Sequence, residues 1–236
     1  MNRNRLILVA AAVGAAALVA GVLILVAGKS SSSTVTTTTA TTATTATTKT
    51  AASLFAGIPQ HGDMLGKATA PVTLIVYEDP QCPFCRNWNV ETLPTVIDQF
   101  VRTGRINLVY RGVVIIGPDS VRGLRAIYAA AKQNKLWTVA DALYARQGAE
   151  NSGWITNGVI LAAARDAGAN GPAIIAGMGA STVDAALNAA QQQARADKLQ
   201  GTPTFIVQRP PAVAQQLPVP GLDPASFVAA LSAALQ

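Results

Sequence analysis

Hydrophobic and polar positions divide this chain into regions of different period. Leu6 to Ala27 is an unbroken apolar run without a charge. About 20 apolar residues at 1.5 Å rise each span the hydrocarbon core of a bilayer, so the run predicts one transmembrane helix. Ser30 to Thr50 is a low-complexity Ser/Thr/Ala tract with too little apolar surface to bury, and it predicts a disordered spacer. Val72 to Tyr77 is a β-branched and aromatic run that reads as a buried strand ending at the turn Glu78-Asp79-Pro80. Pro83 suits the first turn of a helix, where its missing N–H costs nothing. That helix is predicted to run through Trp88 and Val90 to about Phe100, kinked at Pro94. Ile106 to Val109 predicts a second strand.

Asp119 to Lys198 is dominated by helix formers, with breaks at Asn134, Gly148 to Gly153, Gly168 to Pro172 and Gly177 to Gly179. This pattern gives four or five helices. A third strand is predicted at Thr204 to Val207, then a Pro-rich stretch, then a helix over Pro224 to Leu235 capped by Asp223. A helical block between the halves of a small sheet suggests an insertion into an α/β core. The expected organisation is a membrane anchor or signal segment at 1–28, a Ser/Thr-rich linker at 29–52 and a domain at 53–236. The helical insertion covers about 117–198. Periodicity alone does not say which α/β core this is.

Charge changes the picture once it is mapped onto these regions. The formal net charge of +6 suggests a basic protein, but Arg3, Arg5, Lys29 and Lys49 all precede the first acid, Asp63. The remaining 14 basic residues face 12 acidic ones, and no basic run carries interleaved aromatics, which argues against nucleic-acid binding. Arg3 and Arg5 flank the apolar run and keep that end cytoplasmic, so the body is expected outside the cytoplasm. A cleaved signal peptide is the alternative to a permanent anchor, and it exports the body equally.

Two cysteines are present, and they form Cys82-Pro83-Phe84-Cys85 between a strand and a helix. A Cys-x-x-Cys in that setting reads as a redox pair. Unpaired N–H groups and the dipole at a helix N-terminus stabilise a thiolate. Cys82 is therefore expected exposed, with a pKa below that of a free thiol. Cys85, one turn further in, is expected buried as the resolving thiol. A zinc site competes, but His61 is the single histidine and precedes the first predicted strand, so a complete Cys/His set is lacking. A structural disulfide competes too, although a two-residue loop restricts the unfolded chain little. No metal or organic cofactor is expected.

With these residues in view, the body resembles the DsbA-like thioredoxin family, in particular its membrane-anchored bacterial branch. Tyr77-Glu78-Asp79-Pro80-Gln81-Cys82-Pro83-Phe84-Cys85 is similar to that family's signature around its cysteines. Gly201-Thr202-Pro203-Thr204-Phe205 is similar to its Gly-x-Pro-Thr-Phe segment. The resemblance implies a thioredoxin-like fold with an inserted helical subdomain. It implies a cis Pro203 packed beside the cysteines, with the Thr202 backbone free to pair with an extended substrate. It makes Asp79 a conformational or proton-transfer residue, whereas the residues alone favour a turn and cap role. Phe84 is placed near the surface, where it contacts substrate. One departure stands out. Known oxidants of the family carry histidine between the cysteines, and Phe84 has no such donor, so weaker thiolate stabilisation is expected.

The expected function is extracytoplasmic thiol–disulfide exchange through Cys82 and Cys85, introducing disulfides into exported proteins with free thiols. The resemblance implies reoxidation by a membrane protein of the DsbB or vitamin-K epoxide reductase type. A reductase or isomerase using the same pair, and a non-catalytic binding or chaperone module, remain as alternatives.

Overall fold

The computed structural model describes residues 50–236. The predicted anchor at 1–28 and nearly all of the predicted linker lie outside the described residues. Thr50 caps a short helix α1 (Ala51–Leu54), with Ala51 and Leu54 buried, so the described end of the predicted linker is helical. Among the described residues, no single helix is long and apolar enough to cross a membrane.

The sheet is built on β3 (Val72–Glu78) and β4 (Ile106–Gly112), which run parallel with Val76 opposite Tyr110 and Glu78 opposite Gly112. β4 is longer than the predicted Ile106 to Val109, because Tyr110 to Gly112 continue the pairing with the end of β3. β5 (Thr204–Gln208) lies antiparallel on the other side of β3. Three two-residue strands complete the sheet: β1 (Gln60–His61) and β2 (Met64–Leu65) beyond β4, and β6 (Gln215–Gln216) beyond β5. The order is β1-β2-β4-β3-β5-β6.

Residues in register point to the same face, and successive residues alternate. Val76, Tyr110 and Phe205 therefore share one face, and Glu78 joins them. That face is covered by the helical stretch after the cysteines. Trp88 packs its ring 5.2 Å from Phe205 and 5.8 Å from Phe227 of α9 (Pro224–Ala234). The opposite face carries Ile75, Tyr77 and Ile206, packed with Val113 and Ala194.

The stretch 83–101 is not one regular helix. It alternates α2 (Pro83–Asn87), a π turn (Trp88–Thr92), α3 (Leu93–Val96) and a second π turn (Ile97–Val101). Pro94 has no N–H to return to the carbonyl four residues back, and the wider turn ahead of it takes up that break. Between β4 and β5 the insert supplies five helices: α4 (Pro118–Ala130), α5 (Leu136–Tyr144), α6 (Asn157–Asp166), α7 (Gly171–Gly177) and α8 (Ser181–Ala196). Its helices run from Pro118 to Ala196. Trp137 of α5 packs edge-on against Tyr110 at 5.6 Å and donates its indole N–H to Asp63 O at 2.8 Å. Gln60 of β1 donates to Thr138 Oγ at 2.7 Å. The insert is thus keyed to the sheet by apolar packing and by buried polar contacts. Asp223 caps α9 by accepting from Ser226 N–H at 2.9 Å, as the sequence predicts.

Candidate active site at the N-terminus of the second helix

The end of β3 delivers the chain into a turn, and α2 begins immediately afterwards. Asp79 shapes that turn. Its carboxylate is fully buried and accepts four hydrogen bonds: from Gln81 N–H (2.8 Å), Ile115 N–H (2.8 Å), Ile116 N–H (2.9 Å) and Ser120 Oγ–H (2.7 Å). All of these bonds go to loop and insert groups, which fits the turn role rather than proton transfer at sulfur.

Cys82 is the N-cap of α2, with extended backbone, and Pro83 occupies the first helical position. Both cysteines are free thiols. Cys85 is fully buried, as its place one turn into the helix predicts, and Cys82 is only 4% exposed, where a helix start predicts an exposed thiol. The physical reason is the segment before β5. Its Thr202–Pro203 peptide bond is cis, and the Cys82 thiol donates to Thr202 O at 3.2 Å, so that segment lies over the sulfur. Phe84 stands out from the helix start, 62% exposed.

The two thiols have opposite electrostatic environments. Cys82 is lowered to about 6. The Cys85 thiol contributes most, and the Thr202 side chain and the backbone N–H groups of Cys85 and Phe84 add to it against the cost of burial. Cys85 is pushed well above the ordinary thiol value by burial, with the Cys82 and Glu78 charges adding to the effect. Such a pair gives one thiol that ionises readily and one that holds its proton.

Glu78, the last residue of β3, is fully buried on the cysteine side of the sheet. Asn89 donates to Glu78 Oε1 at 2.6 Å and to Cys85 O at 2.9 Å, linking the acid to the helix. Burial pushes the Glu78 carboxyl well above the usual carboxylate range, against the pull of Asn89 and Tyr144. Glu78 is thus a buried acid whose charge is felt at Cys85, whereas the carboxylate of its neighbour Asp79 is committed to the turn. Strand alternation holds the clue, because Glu78 keeps the parity of Leu74 and Val76, both buried.

A family model described as Thioredoxin matches residues 60–210, which is more than half of the chain. The chain belongs to the thioredoxin family. Its relatives are DsbA-like members of that family. It is 34% identical over 104 residues to a probable disulfide bond formation protein D of Bacillus cereus, covering 43% of this chain and 48% of that protein. It is 26% identical over 99 residues to disulfide bond formation protein D of Bacillus subtilis, covering 41% and 45%. The matches thus span about half the length of these curated relatives. Among solved structures, the fold is similar to oxidised BdbD of Bacillus subtilis, with a TM-score of 0.63 at 19% identity over 75% of this chain and 97% of that one. It is also similar to a thioredoxin-like oxidoreductase of Silicibacter pomeroyi, with a TM-score of 0.56 at 27% identity over 77% and 95%. The DsbA-like fold with its helical insert is thus established for this chain.

Among the described residues, no group of three or more His, Cys, Asp or Glu side chains is placed to hold a metal ion. His61 sits in β1 at the far edge of the sheet.

Proposed function

We propose that this protein is an extracytoplasmic thiol–disulfide oxidoreductase that introduces disulfides into exported proteins. The reading rests on one observation: two cysteines one helical turn apart, with Cys82 lowered to about 6 and Cys85 raised. A thiol that ionises readily supplies the thiolate for exchange and is the better leaving group.

In the oxidised enzyme, a substrate thiolate attacks Cys82 Sγ and breaks the Cys82–Cys85 bond. Cys85 departs with the electron pair and takes a proton, which its environment strongly favours. A second substrate thiolate then attacks the substrate sulfur of the mixed disulfide and expels Cys82 as a thiolate. The substrate gains a disulfide, and the enzyme gains two electrons and leaves reduced. Thr202 O and Pro203 line the approach to Cys82, and exposed Phe84 offers an apolar contact to the incoming chain. A membrane reoxidant of the DsbB or vitamin-K epoxide reductase type accepts the two electrons. Residues 1–28 hold the domain at the outer face of the membrane.

The side chain of Phe84 adds nothing to thiolate stabilisation. Its backbone N–H does, along with Thr202 and Cys85. A Cys82 value of about 6 lies between the values of about 7 and about 3.5 typical of thioredoxin and DsbA. Reduced, denatured ribonuclease supplied with the oxidised domain should regain activity, and Cys82→Ser should abolish this. Equal recovery with the serine variant would remove the catalytic reading and leave a binding module.

A further inference from the structure

The helical insert reaches the nucleophile through one side chain. Gln147 lies just after α5, and its amide nitrogen donates to Pro80 O at 2.9 Å and to Cys82 O at 3.0 Å. Both N–H bonds of that amide are therefore used on the loop that carries Cys82. The Cys82 carbonyl also accepts from Arg86 N–H at 3.1 Å, the bond that opens the first turn of α2. One amide thus grips the chain on both sides of Gln81 and at the first carbonyl of the helix.

The loop that bears Gln147 has anchors of its own. Asn151 N–H donates to Gln81 Oε1 at 2.6 Å, and Gln81 donates back to Asn151 Oδ1 at 3.2 Å. Gly148 lies so close to Trp154 that an added Cβ would come within 2.7 Å of it. Docking of the insert does not depend on Gln147 alone. The backbone N–H groups of Phe84 and Cys85 aid the Cys82 thiolate only while Cys82 keeps its pose, because hydrogen bonds weaken steeply with angle.

We propose that Gln147 is a positioning residue, through which the insert holds Cys82 in register with the donors of the α2 N-terminus. This inference rests on the oxidoreductase reading of Cys82. It makes the insert a part of the reacting centre and not only a cover for it. Removing the amide frees the loop and weakens the alignment. The thiolate then becomes less stable, and the reduced form loses part of its advantage.

The test is absorbance titration of the thiolate at about 240 nm in the reduced protein, alongside the glutathione equilibrium of the pair. Two variants remove the donors differently: Gln147→Met keeps the length, and Gln147→Asn keeps the amide but withdraws its reach. Gln133→Met is the control. Its amide also makes two backbone contacts, donating to Asn170 O and accepting from Asn170 N–H, inside the insert and away from Cys82. Glu78, the acid whose charge is coupled to Cys82, is unchanged in all three.

Loss of a net hydrogen bond of about 1 kcal/mol corresponds to an upward shift of about half a unit to one unit. We expect that shift in both Gln147 variants, a more negative potential, and no change in Gln133→Met. A folded Gln147 variant that titrates with the wild type overturns the inference, as does an equal shift in the control. A wild-type Cys82 that titrates as an ordinary thiol instead sinks the underlying reading of the site.

Discussion

Among single residues, three ionisable groups, Glu78, Cys82 and Cys85, are brought together by one strand end and one helix start. Cys82 should titrate at about 6 in the reduced protein, and this transition should vanish in Cys82→Ser. The sign of the linkage follows. A thiol lowered on folding stabilises the reduced fold fully above its unfolded value of 9.0, and that contribution is lost as pH falls through about 6. The melting temperature of the reduced form should therefore rise, relative to the oxidised form, between these two values. A constant difference across that range would contradict the assignment. Glu78 has the opposite sign. Its raised pKa favours the protonated fold, so its cost is absent below the unfolded value of 4.5 and grows as pH rises above it. Glu78→Gln should raise the melting temperature at pH 8 and leave it almost unchanged at pH 4. The same variant should alter the rate of exchange, because it removes the buried acid whose charge reaches Cys85. The sequence marks both cysteines clearly. The family resemblance offers Asp79 as a conformational or proton-transfer residue while the residues alone favour a turn and cap role, and the buried acid Glu78 shows only in the parity of the strand that ends with it.

At the scale of elements, the buried strands and the N-terminal proline of α2 are visible in the pattern because each has a local cause. A β-branched run marks β3, and Pro83 marks a helix start. The two-residue strands β1, β2 and β6 have no local cause, since they are too short to show a period and exist through pairing with partners. The π turns around Pro94 are equally silent in sequence, where a proline signals a break but not how the helix absorbs it. The cover over Cys82 is silent in the sequence for a related reason: a helix start is local, but the segment that covers it lies 120 residues away. Packing of α4 on the active-site turn gives a test. A Cβ at Gly123 would come within 2.8 Å of Pro80 Cγ and 2.9 Å of Ile155 Cδ1. Alanine gains about 1 kcal/mol of helix propensity over glycine, but overpacking a tight contact costs about 1–3 kcal/mol. Gly123→Ala should thus be destabilising in urea denaturation and should slow exchange by displacing the turn. A stabilised variant would show that α4 has room to move.

At the scale of the whole molecule, the order of elements in the sequence already implies an α/β core interrupted by helices. The family resemblance supplies which core it is, and the fold bears this out. What sequence order does not convey is how closely the insert engages the reacting loop, because Gln81, Ser120, Gln147 and Asn151 are ordinary polar residues until the fold brings them together. The proposed anchor at 1–28 makes a separate prediction. The full chain should sediment with membranes and resist carbonate extraction, whereas residues 50–236 alone should stay in the supernatant. Release of the full chain by carbonate would contradict the anchor without touching the chemistry. If the Cys82–Cys85 pair transfers electrons as an oxidant tuned by its thiolate, its reduction potential against glutathione must show it. The expected value lies between about −270 mV and about −120 mV, the potentials of thioredoxin and DsbA, to match the intermediate Cys82. A value at or below that of thioredoxin would contradict the oxidising direction, and failure of the pair to cycle would contradict the enzyme itself.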